Sequence, residues 1–189
     1  MDIQGLISNY AMLLSYAKTD FVRYLYKQID WSNRLIVIKG AKGVGKTTMI
    51  FQRIKLAFPD PSKALYVSLD NLWFASNTLL DLADYFYKHA GTHLFLDEVH
   101  KYPNWVREVK NIYDMMPHLH IIVTGSSILS LTNTVIADLS RRHREYTLVG
   151  MSFREFLSME GAGDFPTYSL DDVTANHFVI ASDICSKIK

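Results

Sequence analysis

The sequence predicts an α/β fold in which a five-stranded, mainly parallel sheet lies between two layers of helices. Short apolar stretches alternate along the chain with segments whose apolar residues have helical spacing. That alternation is typical of a parallel sheet with both faces covered. The first of these stretches, residues 34–39, also runs into a glycine-rich loop that is followed by a helical pattern. A strand, a loop and a helix in this order form a recurrent structural unit.

The length and composition are those of one sizeable globular domain. The chain has 189 residues, of which 49% are hydrophobic and 21% are charged, as is usual for a soluble protein. The formal net charge of +1 gives no overall attraction to nucleic acid or to an anionic membrane. Cys185 is the single cysteine, so an intramolecular disulfide and a cysteine-based zinc cluster are excluded. We see no secretory signal and no apolar stretch of membrane-spanning length, so we expect a cytoplasmic protein without a membrane partner.

The spacing of apolar residues predicts the individual elements. Residues 1–30 should form an N-terminal helical arm, either as one helix or as a helix pair broken near Thr19 and Asp20. The five strands are predicted at 34–39, 64–69, 93–96, 119–124 and 145–149. Later helices are predicted at 48–57, 77–90 and 103–115, from the end of the fourth strand to about 139, after Ser152, and at 170–188.

The chain is predicted to divide near residue 160. Residues 1–160 form the main domain, and residues 161–189 form a linker with the start of a lid or of a following domain. Gly161, Gly163 and Pro166 mark the linker, because glycine and proline favour turns and interrupt helices. Just before it, Ser152 and Glu155 have the spacing of a capping box at a helix start.

The glycine-rich loop has the spacing of a phosphate-binding loop. It reads Gly40-Ala41-Lys42-Gly43-Val44-Gly45-Lys46-Thr47 and is followed by Thr48. Glycines let backbone N–H groups curl around phosphate, and the amino terminus of the next helix favours an anion. Lys46 can reach the β- and γ-phosphates, and the Thr47 hydroxyl suits Mg²⁺. We therefore predict a nucleoside triphosphate site at residues 40–48, in a P-loop NTPase fold with three α/β/α layers.

An acidic pair, Asp97-Glu98, follows the third strand. The strand delivers both carboxylates to the carboxyl edge of the sheet, where ligands bind in open α/β folds. There Asp97 would hold Mg²⁺, directly or through water, and Glu98 would polarise a water for attack on the γ-phosphate. The alternative is a solvated pair at a strand end, which is the usual role of an isolated Asp-Glu. The upstream phosphate loop favours the catalytic interpretation.

Two further segments carry candidate catalytic groups. The fourth strand ends in Thr124-Gly125-Ser126-Ser127, where Ser126, or as second choice Thr124, could orient the lytic water or contact the γ-phosphate. Helix capping by the serines explains the same residues equally well. Before the fifth strand stands Arg141-Arg142-His143-Arg144, and an arginine here could stabilise transition-state charge in cis or from a neighbouring subunit. A solvated basic turn is the alternative.

Taken together, these motifs resemble the AAA+ ATPases, and more narrowly a prokaryotic group of AAA-type ATPases that carry a C-terminal nuclease-like domain. The matching segments appear in order as residues 40–48, 94–105, 121–127, 139–142 and 151–157. The resemblance implies a sheet of strand order 5-1-4-3-2, with ATP and Mg²⁺ as ligands. It also implies phosphate and Mg²⁺ binding by Lys46 and Thr47, metal and water roles for Asp97 and Glu98, and Ser126 as sensor.

The sequence differs from this group at two positions, and the resemblance also implies possible partners. Arg142 lies where the group has a Gly-Arg pair, but Arg141 replaces the glycine, and Lys42 replaces a usual arginine. An arginine that acts in trans would imply a homo-oligomer. A nucleic acid partner would be expected only through the nuclease-like domain, which these residues do not include.

Three functions are consistent with these observations. The leading one is an ATPase domain that couples Mg²⁺-ATP binding and hydrolysis to movement of an attached domain. A P-loop phosphotransferase (kinase) is disfavoured by Glu98, since a kinase must avoid activating water. A nucleotide-dependent switch with little hydrolysis is the third function. Phosphate release without an added acceptor would separate the ATPase from the kinase, and tight nucleotide binding with negligible turnover, even in the full-length protein, would favour the switch.

Overall fold

A five-stranded parallel sheet lies at the centre of the molecule. The computed structural model describes residues 3–125, 139, 142–163 and 166–187. The strands are β1 (Leu35–Lys39), β2 (Ala64–Ser68), β3 (His93–Asp97), β4 (His120–Gly125) and β5 (Arg144–Thr147). Their order in the sheet is β2-β3-β4-β1-β5, and every neighbouring pair is parallel. The predicted strand order is therefore confirmed, with a sheet that is parallel throughout rather than mainly so. With helices flanking this sheet, the fold is that of a P-loop NTPase.

The three inner strands and the edge strand β2 consist mainly of apolar residues that are buried, as a sheet covered on both faces requires. The fifth strand lies at the opposite edge from β2 and is largely exposed. It was predicted at 145–149 and is shifted toward the amino terminus, although Leu148 N still donates to Lys39 O over 2.7 Å.

The helices agree with the predicted segments, and the N-terminal arm is a helix pair. The expected helix between β4 and β5 falls mostly outside the described residues. The helices are α1 (Ile3–Tyr16), α2 (Tyr24–Gln28), α3 (Lys46–Ala57), α4 (Leu79–Lys88), α5 (Trp105–Met115), α6 (Phe153–Met159) and α7 (Leu170–Lys187). Among all the segments that the structure describes, no helix combines the length and apolar character needed to cross a membrane.

One apolar cluster joins the sheet to its helices. Ile36, Ile38 and Phe95 have no exposed surface, and burial of each such side chain contributes about 1.5–3 kcal/mol. The arm packs on the sheet through Tyr10 of α1, whose ring centroid lies 6.2 Å from that of Tyr66 on β2. The core therefore fixes the strand ends that carry the site and holds the arm beside them.

Candidate functional site

The predicted phosphate loop and acidic pair lie together at the carboxyl edge of the sheet. In the strand register Ile38 is level with Thr124, and Leu96 is level with Val123. The ends of β1, β3 and β4 therefore reach the same edge. This confirms the placement that the strand–loop pattern predicted, since carboxyl ends of parallel strands form the ligand-binding edge of open α/β folds.

The glycines of the loop meet two different physical requirements. Gly43 and Gly45 have φ angles of 82° and 97°, in the left-handed region that side chains disfavour. A Cβ on Gly40 would lie 2.3 Å from the Leu148 carbonyl oxygen, so Gly40 permits the close approach of the segment after β5. The loop conformation thus depends on glycine at these three positions.

Lys46 is the first residue of α3 and folds back across the loop. Its Nζ donates to the carbonyl oxygens of Gly40 and Ala41, each over 2.9 Å. The residue is 5% exposed. Burial lowers the pKa of the Lys46 ammonium, while the nearby charges of Glu98 and Asp97 act to raise it. A cation with so little contact with water is well placed to gain from an anionic ligand.

Asp97 accepts hydrogen bonds on both carboxylate oxygens, and it is 2% exposed. Its Oδ2 accepts hydrogen bonds from Thr47 Oγ1 over 2.5 Å and from Tyr66 OH over 3.0 Å. Its Oδ1 accepts from Thr124 Oγ1 and, over 2.9 Å, from Glu98 N. Three strands and α3 therefore fix one carboxylate. Burial, followed by the Asp97 charge, raises the pKa of Tyr66, so this phenol stays a donor.

Glu98 follows in a backbone conformation that is unusual for its residue type. Its φ and ψ angles are 52° and 37°, a left-handed geometry that costs free energy in a non-glycine residue. The side chain is partly exposed, and its Oε2 lies 3.4 Å from His100 Nε2. The two neighbouring acids therefore differ in environment, with Asp97 buried and Glu98 partly exposed.

The oxygen atoms at this edge fit a hard divalent cation. Within the described part of the chain, no group of three or more His, Cys, Asp or Glu side chains could hold a metal alone. Thr47 and Asp97 instead supply a hydroxyl and a carboxylate side by side. Mg²⁺ typically takes one or two such protein oxygens and completes its shell with phosphate and water. The donor set thus fits Mg²⁺ that arrives with a nucleotide.

Of the other predicted catalytic residues that the structure describes, Thr124 contacts Asp97, whereas Arg142 lies away from this group. Ser126 and Arg141 lie outside the described residues. Arg142 precedes β5, whose first residue Arg144 is level with Ile36, so it lies toward the amino edge of the sheet. There its Nε is 3.3 Å from Asp114 Oδ1. Any action of Arg142 on a phosphate would therefore need the site of another subunit.

Three residues of the site environment were not predicted: Tyr66, Arg23 and Glu155. Tyr66 lies one strand away from Asp97, and a single tyrosine on an apolar strand gives no sequence signal. Glu155 was predicted only as a helix-capping residue, a role that the structure confirms. Its carboxylate also accepts from Arg23 Nε over 2.8 Å, a pairing between distant residues that no local pattern indicates.

A cavity of about 660 Å³ opens beside the first turns of α3. It lies between the arm, which contributes Tyr16, Lys18 and Phe21, and α3, which contributes Thr48 and Gln52. Gln52 Nε2 donates to the carbonyl oxygens of Lys18 and Phe21 over 3.0 and 2.6 Å. The arm is thereby tied to α3 along one wall of the cavity.

The chain is similar in sequence to parts of two longer proteins. Over 135 residues, or 65% of the chain, it is 34% identical to the uncharacterized protein MJ1637 of Methanocaldococcus jannaschii, covering 27% of that protein. Over 145 residues, or 72% of the chain, it is 29% identical to the uncharacterized protein MJ1544 of the same organism, covering 31% of it. The chain thus spans less than a third of either relative's length.

Among solved structures, the alignment with C. elegans PCH-2 covers 90% of this chain and 51% of the PCH-2 chain. The TM-score is 0.45 and the sequence identity is 15%. A family model described as an AAA domain matches residues 32–157, a range that includes the phosphate loop, the acidic pair and the Ser152–Glu155 cap. The chain therefore belongs to the AAA domain family, whose members are nucleotide-binding proteins of the ATPase type.

Proposed function

We propose that this domain binds Mg²⁺-ATP at the carboxyl edge of its sheet and hydrolyses it. The observation that carries the proposal is the direct hydrogen bond from Thr47 to Asp97. It joins a phosphate loop to a buried carboxylate that three strands hold in place. Bound Mg²⁺ would neutralise phosphate charge and polarise the γ-phosphate.

Each residue of this group has a distinct role in the proposal. The N–H groups of residues 40–48 surround the phosphates, and Lys46 exchanges its loop carbonyl partners for phosphate oxygens. Thr47 and Asp97 hold Mg²⁺. Glu98, whose side chain is partly exposed, accepts a proton from the attacking water. Its left-handed backbone supports this role, because strained conformations concentrate at functional sites.

The cavity between the arm and α3 is proposed as the place of the nucleoside. It adjoins Thr48, the residue after the phosphate loop, and its walls include the aromatic rings of Tyr16 and Phe21. Aromatic and apolar walls with a few polar groups are typical of sites for bases. The arm would then be part of the nucleotide site.

The remaining roles rest on the family resemblance. Ser126 is proposed as the sensor, and Arg142 as an arginine that acts in trans within a homo-oligomer. The relatives are more than three times as long as the matched region. We propose that hydrolysis drives a conformational change in an attached domain, and that any nucleic acid partner would bind there.

Calorimetric titration with Mg²⁺-ATP tests the binding proposal. Lys46→Ala removes a buried cation from the loop, so the dissociation constant should rise on the order of 100-fold or more. Lys88→Ala is the matched control, because Lys88 is exposed on α4 and pairs only locally with Asp84 among the described residues. Unchanged affinity in a folded Lys46→Ala protein would overturn the assignment of the loop.

A further inference from the structure

A buried arginine of the N-terminal arm donates a hydrogen bond to the backbone of the phosphate loop. Arg23 lies just before α2 and is 6% exposed. Its Nη1 donates to the Val44 carbonyl oxygen over 2.7 Å. Its Nη2 donates to the carbonyl oxygens of Val149 and Gly150 over 2.9 and 3.2 Å. One guanidinium therefore joins the arm, the loop and the segment between β5 and α6.

Glu155 of α6 holds this guanidinium in place. The carboxylate is 4% exposed and accepts from Arg23 Nε over 2.8 Å. It also accepts from the backbone N–H groups of Tyr24 and Ser152 over 2.9 and 3.0 Å. Burial alone would raise the pKa of Glu155, but these hydrogen bonds and the Arg23 charge outweigh burial and lower it to about 2. The buried ion pair is thus hydrogen-bonded on both sides.

The direction of the Val44 carbonyl determines the direction of the Gly45 N–H group in the same peptide. The Val44 C=O and the Gly45 N–H belong to one planar trans peptide, so they point in opposite directions. Fixing the carbonyl on Arg23 therefore fixes the direction of the Gly45 N–H. Gly45 has a φ angle of 97°, and a Cβ on it would meet no atom within 4 Å. The space beside this residue is open to a ligand.

We infer that Arg23 is a positioning residue that keeps the phosphate loop in its anion-binding form by holding the Val44 carbonyl. Through Glu155 it also makes the loop conformation depend on α6 and on the arm. The inference deepens the proposed nucleotide-binding function and rests on it. A movement of α6 or of the arm would reach the phosphates by this route, without any residue of those elements touching the phosphates.

Arg34 supplies a matched control for this inference. Its Nη2 donates to the backbone carbonyls of Tyr113 and Met116 over 2.8 and 3.0 Å. It therefore resembles Arg23 as an arginine that ties backbone segments together. However, it precedes β1 and so lies at the amino edge of the sheet, away from the loop. Arg23→Lys and Arg34→Lys make the same change of side chain at the two edges.

The test combines calorimetry with amide NMR spectra of protein labelled with ¹⁵N-glycine. In Arg23→Lys, a single ammonium cannot serve three carbonyls and a carboxylate. We expect the Gly43 and Gly45 amide signals to move and the Mg²⁺-ATP dissociation constant to rise by about tenfold or more. Arg34→Lys should leave both readouts close to wild type. Glu155→Gln, which keeps the shape but weakens the pair, should give a smaller change of the same kind.

The outcomes separate this inference from the proposed function. If the wild-type protein does not bind ATP, the proposed function fails, and the glycine spectra still report whether Arg23 sets the loop. A folded Arg23→Lys protein with unchanged glycine signals and unchanged ATP affinity would overturn the inference. If Arg23→Lys does not fold, Glu155→Gln decides, because wild-type spectra and affinity in that variant would also overturn it.

Discussion

The Thr47 hydroxyl donates to Asp97 Oδ2 over 2.5 Å and so ties the first turn of α3 to the end of β3. Both residues are fixed by regular structure, one at a helix start and the other at a strand end. Their oxygens are thus held in place before any cation arrives, and little further ordering is needed on binding. Preorganised oxygens of this kind lower the cost of capturing a metal–nucleotide complex.

Asp97→Asn should separate metal binding from nucleotide binding. The amide places an NH₂ group where Asp97 now accepts hydrogen bonds on both oxygens, and it removes the charge that attracts Mg²⁺. We expect ATP affinity measured with Mg²⁺ to fall, whereas the weaker affinity in EDTA changes little. Asp84→Asn on α4 is the control. Equal responses to Mg²⁺ in wild type and Asp97→Asn would rule out a metal role for this carboxylate.

Tyr66→Phe should lower the free energy of unfolding, because it removes the Tyr66 hydroxyl that donates to Asp97. The sequence did not identify this donor. The change keeps the ring between Tyr10 and Phe51 but leaves Asp97 Oδ2 with one donor fewer. Losing a hydrogen bond to a buried charge costs roughly 1–3 kcal/mol, measurable by urea unfolding at neutral pH. Tyr85→Phe, which loses the exposed contact with Gln4, should cost less than about 0.5 kcal/mol. Equal losses would show that Tyr66 does not support Asp97.

The Arg23–Glu155 pair should make stability depend on pH in the acid range. The pKa of Glu155 is lowered from 4.5 to about 2 in the folded protein. The resulting stabilisation is complete above the unfolded-state pKa and is lost as pH falls from about 4.5 toward 2. Its size is about 3 kcal/mol. Urea unfolding between pH 6 and pH 3 should therefore show a steeper decline for wild type than for Glu155→Gln, and parallel curves would contradict this.

The features predictable from sequence are those with short-range causes. The β1 strand, the loop with Gly43 and Gly45, and the Asp97-Glu98 pair follow from apolar runs, backbone geometry and spacing. The strand order came from family resemblance, because local patterns do not specify which strands are neighbours. The edge strand β5 was misplaced by one or two residues, since its exposed residues lack the apolar signal of the inner strands.

The supporting contacts could not be predicted because they join residues far apart in the chain. Arg23 and Glu155 are separated by 132 positions, and Tyr66 and Asp97 by 31. Nothing in either local segment indicates the partner. Site chemistry is therefore visible in the sequence, whereas the contacts that orient it appear only in the fold.

The most direct test of the account is single-turnover phosphate release by Glu98→Gln, measured with Mg²⁺-ATP and no added acceptor. The amide keeps the size of the side chain but removes the base, so release should fall by roughly 10²–10⁴-fold while ATP affinity is retained or rises. Glu160→Gln, an exposed change at the end of α6, should release phosphate at the wild-type rate. Wild-type release by Glu98→Gln would contradict the assignment of Glu98 as the base that activates water.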